Sequence, residues 1–250
     1  MNCNQLSKIN KNINFYFLRF LFAYLPHFKI KRMKKGIKKI LETILILKKP
    51  KKYTLYDKFW VQKIKTNIVR DRVIFFEQIC KDKNVLHLGC NDWPIFNPSY
   101  NLHIKLAKKA KSIHGFDVDL EGIEDLKKYV NQPYFSNFNQ MKYNQYEICL
   151  VPETIEHVDN VRTFLEGLST VNAEVFYITA PNCFSKNHIE RNFYGKNEFI
   201  EINHPDHNCW YSPHTLKNQI EKYSNLKVEE VILLNEDRMV CCKAIKKKDV

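Results

Sequence analysis

The sequence predicts an α/β domain: an open, mostly parallel sheet closed by an antiparallel hairpin, with helices on both faces. Three observations predict it. From residue 84 onward, short apolar runs alternate with stretches of helical period, the pattern of strand–crossover–strand units. The last two apolar runs, 227–234 and 239–245, are separated only by the turn that begins Asn235-Glu236-Asp237. No parallel crossover is that short, so this pair must be antiparallel. Two of the earlier runs stop at a glycine or a carboxylate, as strands do where a sheet meets a ligand.

The elements follow in order. Strands are expected at 84–89, 112–117, 146–151, 175–180, 227–234 and 239–245, and helices at 102–110, 120–130, 161–170 and 213–223. Ser212-Pro213 gives the last helix a capping hydroxyl followed by proline at its first position. A further helix is expected over 56–80, with Phe59, Ile64, Ile68, Phe75 and Ile79 as apolar anchors.

Charge divides the chain. Its 250 residues carry a net charge of +13. Residues 1–52 hold 14 Lys/Arg against the single acid Glu42, so the remaining 26 bases and 26 acids cancel. A basic N-terminal extension, 1–55, is therefore expected ahead of a neutral domain, 56–250. The apolar run 13–25 contains Arg19, ends at Pro26 and is too short to span a bilayer, which takes roughly 20 residues. After it, Ile37, Ile40, Leu41, Ile44 and Leu45 form an apolar stripe with lysines opposite. Residues 13–52 therefore suit an anionic membrane surface, a packed helix with solvated lysines, or RNA phosphates. The eight cysteines include no CxxC pair, and several lie in apolar runs. This is reduced, cytoplasmic usage rather than a disulfide framework, and the expected location is cytoplasmic or peripheral to the inner face of a membrane.

The first strand, Asn84-Val85-Leu86-His87-Leu88, runs into Gly89-Cys90 and a polar turn. About 25 residues on, Ile113-His114-Gly115-Phe116 runs into Asp117. The glycine allows close approach of a ligand, and the acid has the spacing that suits hydrogen bonds from the ribose hydroxyls of a nucleoside cofactor.

At this point the sequence resembles the class I S-adenosyl-L-methionine (SAM)-dependent methyltransferases. VLHLGC (85–90) is similar to their first motif and HGFDVD (114–119) to their second. The segment from Tyr146 to Leu168, with PETIEH, resembles their fourth-strand motif, VFYITAPN (175–182) their fifth strand, and HPDHNCWYSPHTL (204–216) the approach to the last helix. The resemblance implies a Rossmann-like, seven-stranded, mostly parallel sheet and SAM as cofactor. It implies that Gly89 and Cys90 line the methionine end and that Asp117 holds the ribose. Val118 then packs on the adenine, Glu153 borders the pocket, and Phe138 or Asn137 lies near the adenine amine. The first motif departs from the family pattern: His87 stands where an acid is usual, and Asn91 and Trp93 replace glycines. His87 either polarises the network around the methionine amino group or is a core histidine. Trp93-Pro94 is expected to narrow the cofactor mouth.

Glu153-x-x-Glu156-His157 follows the fourth strand, where the transferable methyl should sit. His157 and Glu153 are the catalytic candidates, His157 as a general base. In small-RNA 2′-O-methyltransferases and ubiquinone-pathway O-methyltransferases, which are similar here, the same set binds a divalent cation of the Mg²⁺/Mn²⁺ type. By that resemblance Glu153, Glu156 and His157 are metal candidates, with His207 or His204 as a further ligand from the loop. Loop hydrogen bonding is the competing reading for both histidines. Phe184, Phe193, Tyr194, Trp210 and Tyr211 lie where this fold often covers its substrate, and some must be core.

The leading expectation is thus an O-methyltransferase for a small molecule, glycan or lipid-linked intermediate. One alternative is a metal-assisted RNA 2′-O-methyltransferase, against which the neutral body counts. The other is a non-catalytic, membrane-peripheral binding protein on a degenerate methyltransferase fold.

Overall fold

The computed structural model describes residues 60–92, 95–141, 144–191, 193–194 and 197–248. The chain divides into two compact units, Met1–Gln62 and Lys63–Val250. The expectations for residues 13–52, and for Trp93-Pro94, lie outside the described residues. Among the described residues no helix is long and apolar enough to cross a membrane.

The second unit is an eight-stranded sheet with helices on both faces. Its strands are β1 (Asn67–Val69), β2 (Asn84–Leu88), β3 (Ser112–Phe116), β4 (Tyr134–Phe135), β5 (Tyr146–Val151), β6 (Ala173–Pro181), β9 (Leu226–Leu234) and β10 (Met239–Lys246). A separate small hairpin pairs β7 (Phe193–Tyr194) with β8 (Phe199–Ile200). The helices are α1 (Arg72–Cys80), α2 (Leu102–Ala107), α3 (Leu120–Lys127), α4 (Val161–Thr170), α5 (Lys186–Arg191) and α6 (Pro213–Tyr223).

The strand order is β1-β9-β10-β6-β5-β2-β3-β4. β10 is antiparallel to both β6 and β9, and every other pairing in this sheet is parallel. Leaving out β1 and β10, this is the doubly wound order, with its reversal between β2 and β5. The hairpin turn needs left-handed backbone, and Asn235 and Glu236 supply it at φ 50° and 70°.

Side chains alternate across the sheet. Leu86, Leu88, Cys149, Val151, Phe176 and Ile178 join one core with Leu165 and Leu168 of α4 and Leu216 and Ile220 of α6. Val85, Ile148, Leu150 and Tyr177 join the other with Phe76 of α1, Leu102 and Leu106 of α2 and Leu126 of α3. A sheet covered on both faces needs strands apolar on both sides, which is why β2 and β5 read as continuous apolar runs.

Two expectations need correction. The strand count is eight rather than seven, because β1 adds to the outer edge of β9, Asn67–Val69 lying parallel to Ile232, Leu233 and Leu234. The helix expected over 56–80 is not continuous. Residues 61–66 have no regular structure, β1 follows, and the helix begins only at Arg72. Asp71 starts it there, its carboxylate accepting from the N–H groups of Val73 and Ile74 at 2.8 and 3.0 Å. Ile68 and Val69, β-branched, take the open sheet edge instead of a helical turn.

Candidate functional site

A cleft of about 760 Å³ opens at the carboxyl ends of β2, β3 and β5, at the switch point. Gly89, Asn91, Asp117, Val118, Asn137, Glu153, Thr154, His157 and His204 are among the residues that line it.

Gly89 ends β2 at φ +67°. A Cβ here would lie 2.3 Å from Thr154 Oγ1, so the glycine is required both by backbone conformation and by the approach of the β5 turn. Its N–H donates to Phe116 O at 2.8 Å, tying the end of β2 to the end of β3. Asp117 stands just beyond. One carboxylate oxygen accepts from Asn91 N–H at 2.9 Å and the other from Asp119 N–H at 3.0 Å. Burial pushes this carboxyl above its ordinary pKa, and those backbone hydrogen bonds oppose the rise. Asp119 caps α3 by accepting from Gly122 N–H, and Asn91 donates to the same carboxylate at 2.6 Å. Asn91, in a usual glycine position, therefore braces the turn between β3 and α3. Val118 is 79% exposed and lines the cleft, an apolar side chain presented to a ligand. Ser136, Asn137 and Phe138 line the same end, with the Phe138 ring stacked on Phe116 at 5.0 Å.

Two first-motif residues are placed mainly by the core. Cys90, expected at the methionine end, is 1% exposed, packs with the α1–α3 side and does not line the cleft. His87 is also 1% exposed, although it reaches the cleft floor. Its Nδ1 lies 3.2 Å from Nδ1 of buried His103, and the rings stack at 5.3 Å. Two facing Nδ1 atoms share one proton, so the rings must be opposite tautomers. Burial holds His87 well below the ordinary imidazole pKa, and the neighbouring His103 and Arg72 depress it further. Burial likewise pushes His103 down to about 4. The histidine pair thus places neutral imidazoles where the motif that this strand resembles has an acid. His103 carried no sequence signal, since it lies in a helix of apolar pattern.

The reaction centre differs from its expected grouping. Glu153 leaves β5 at φ +43°. Its N–H donates to Thr179 Oγ1, and that hydroxyl donates back to its carboxylate, at 3.1 and 2.9 Å. The other carboxylate oxygen pairs with the Arg72 guanidinium. This carboxylate is therefore engaged by Arg72 and Thr179, and the four-residue donor set Glu153, Glu156, His157 and His207 does not converge. What converges is a trio: His157, His204 and His207 each offer a ligand nitrogen, all within 4.8 Å of one another. Glu156 is fully buried behind them, with Oε1 4.0 Å from His207 Nε2 and no hydrogen bond to either oxygen among the described residues. Burial pushes its carboxyl up to about 8. Asn208 docks the histidine loop onto the β5 turn: its N–H donates to Glu156 O at 2.8 Å and its side chain to His157 O at 3.0 Å. Asp206 lies 3.0 Å from His157 Nδ1. Arg72 and Asn208 are the positioning residues that sequence reading missed. Arg72 sits in what read as mid-helix, and Asn208 in what read as plain loop.

Of the aromatics, Tyr211 is core, 1% exposed with its hydroxyl donating to Gln219 at 3.0 Å, while Phe184 is exposed. The seven described cysteines are all free.

No family model matches the chain, and no curated protein matches its sequence. Solved structures do. The chain is similar to a SAM-dependent methyltransferase from Mesorhizobium loti, at 8% identity and TM-score 0.47, covering 70% of this chain and 95% of that one. It is similar to the N-methyltransferase NodS from Bradyrhizobium japonicum in complex with S-adenosyl-L-homocysteine, at 10% identity and TM-score 0.45, covering 71% and 85%. A chain of the Pnkp1/Rnl/Hen1 RNA repair complex is similar at 14% identity and TM-score 0.48, covering 70% and 40%. These are likenesses of fold. The architecture is a doubly wound, mostly parallel sheet closed by an antiparallel C-terminal pair.

Proposed function

We propose that this chain is a SAM-dependent methyltransferase that methylates an oxygen of a small molecule, a glycan or a lipid-linked intermediate. The observation that carries the reading is the cradle at the switch point: left-handed Gly89 and the braced carboxylate of Asp117 at the ends of neighbouring strands, opening into a cleft of nucleoside-cofactor size. When bound, SAM supplies a methyl group on a positively charged sulfur. A carboxylate has about four acceptor sites, and two backbone N–H groups use two of those on Asp117, so ribose hydroxyls find the others. Exposed Val118 offers a face to the adenine, and Ser136 and Asn137 offer polar groups to its edge.

An alcohol is a weak nucleophile until its proton is taken, whereas an amine that has reached its neutral form attacks with its own lone pair. A proton acceptor at the cleft mouth therefore favours oxygen. His157 lines the cleft, and Asp206 faces its Nδ1, which leaves Nε2 to accept the hydroxyl proton. Glu153 acts through position: with Arg72 and Thr179 it holds the β5 turn that carries His157.

The test is S-adenosyl-L-homocysteine release from the full chain given SAM and a panel of sugars, polyols and lipid-linked sugars, with amines as a control arm. Acceptor-dependent release that His157→Ala abolishes, while cofactor binding is retained, is the expected result. Transfer confined to amines, or unaffected by His157→Ala, overturns the oxygen assignment.

A further inference from the structure

We infer that His157, His204 and His207 form a binding site for a borderline divalent cation of the zinc class, in place of the carboxylate-rich Mg²⁺/Mn²⁺ site implied by resemblance. The three imidazoles come from two segments that Asn208 clips together, and one ligand nitrogen of each lies within 4.8 Å of the others. Bonds of roughly 2.0–2.1 Å to a tetrahedral ion place ligand nitrogens about 3.4 Å apart, so the trio closes with movements of an ångström or so. Donor type decides the metal. Imidazole suits zinc, copper, iron and nickel, whereas magnesium and manganese take carboxylate, carbonyl and water. The carboxylate that would have tipped the set toward hard cations, Glu153, is engaged by Arg72 and Thr179.

The surroundings fit a histidine centre. Metal-bound imidazoles direct their second nitrogen at a carboxylate or carbonyl. Asp206 faces His157 Nδ1 at 3.0 Å, and Glu156 faces His207 Nε2 at 4.0 Å. That leaves His157 Nε2 and His207 Nδ1 for the ion, and His207 Nδ1 is buried with no hydrogen bond among the described residues. Glu156, a fully buried carboxylate with no hydrogen bond among the described residues, gains a partner in a metal-bound His207. Ligation by His204 displaces the 3.2 Å hydrogen bond that its Nδ1 accepts from Asp206 N–H. Three protein ligands leave a fourth position open, and His157 and His204 border the cleft.

This inference rests on the methyltransferase reading for its purpose. With an ion held there, His157 would serve as its ligand instead of as the base, and the ion would supply the Lewis acidity that lowers the pKa of the acceptor hydroxyl, whose proton would leave to solvent. The oxygen lone pair then forms the carbon–oxygen bond as the methyl–sulfur bond breaks, its electrons returning to sulfur.

The experiment dialyses the full chain against Zn²⁺, Mn²⁺ or Mg²⁺, removes loose metal by desalting, and measures metal per chain by mass spectrometry. Binding of S-adenosyl-L-homocysteine is followed in parallel. Retention of Zn²⁺ alone is expected, weakened at least about tenfold in His204→Ala and unchanged in Glu153→Gln, with both variants melting cooperatively. The Co²⁺-loaded protein should lack a thiolate charge-transfer band, which separates the site from the cysteines. Zinc retention unaffected by His204→Ala, retention that depends on Glu153, or no retention overturns the site. S-adenosyl-L-homocysteine binding with no zinc retained overturns the metal site alone. Zinc retention without cofactor binding upholds the site and overturns the methyltransferase reading.

Discussion

Replacing Gly89 with alanine probes the point where β2, β3 and the β5 turn meet. At φ +67° an L-residue is strained, by about 1–2 kcal/mol. The new Cβ also falls 2.3 Å from Thr154 Oγ1, which must rotate away. That hydroxyl donates to Pro152 O at 3.0 Å, and losing a hydrogen bond of this kind costs about 1 kcal/mol. Gly89→Ala should therefore destabilise the domain by about 2–3 kcal/mol. The assay is urea denaturation of the full chain, of Thr154→Ala and of the double variant. In the Thr154→Ala background the Oγ1 clash is gone and the nearest contact is Cβ at 3.4 Å, so only the backbone strain should remain. A coupling of about 1 kcal/mol between the two sites is expected. A Gly89→Ala effect under about 0.5 kcal/mol, or one unchanged by removing the Thr154 hydroxyl, refutes the geometry of the cradle.

Arg72→Met should cost about 1–3 kcal/mol, since it leaves Glu153, about three-quarters buried, with Thr179 alone; adding Glu153→Gln should recover part of the loss, and simple additivity of the two would contradict the pairing. The buried histidine pair sets a pH dependence. Burial holds His87 well below the ordinary 6.5 and His103 at about 4, so as pH falls the unfolded chain takes up their protons first. Their contribution is complete above pH 6.5 and is lost as pH drops from there toward 4. The urea midpoint should fall between pH 7.5 and 5.5, and the fall should shrink in the double variant His87→Leu/His103→Leu; an equal fall in both would assign it to other groups.

Much of the domain was legible from pattern alone. The apolar runs of β2, β5 and β6, the helices at Val161–Thr170 and Pro213–Tyr223, and the antiparallel pair β9–β10 all reflect local signals: continuous burial, a capping box at Ser212 and Thr215, and a turn too short for a crossover. Elements set by distant partners were not legible. Asn67–Val69 is a strand only because the edge of β9 is open beside it, and two-residue β4 only because β3 lies alongside. The same division holds in the site. Gly89 and Asp117 announce themselves as strand ends. The partner of His87 is His103, 16 residues away on a helix, and that of Glu153 is Arg72, 81 residues away. Reading Glu-x-x-Glu-His as a unit overlooked that Arg72 and Thr179 engage the first glutamate, leaving the histidines to gather without it.

The central claim is that the switch-point cleft binds SAM through Asp117. A calorimetric titration of the full chain with S-adenosyl-L-homocysteine, beside Asp117→Asn, tests it most directly. One-to-one micromolar binding is expected, weakened by about 10–100-fold in the variant, the worth of one or two charge-assisted hydrogen bonds to a ribose. No binding to the wild-type chain, or equal binding by a folded Asp117→Asn, would contradict it.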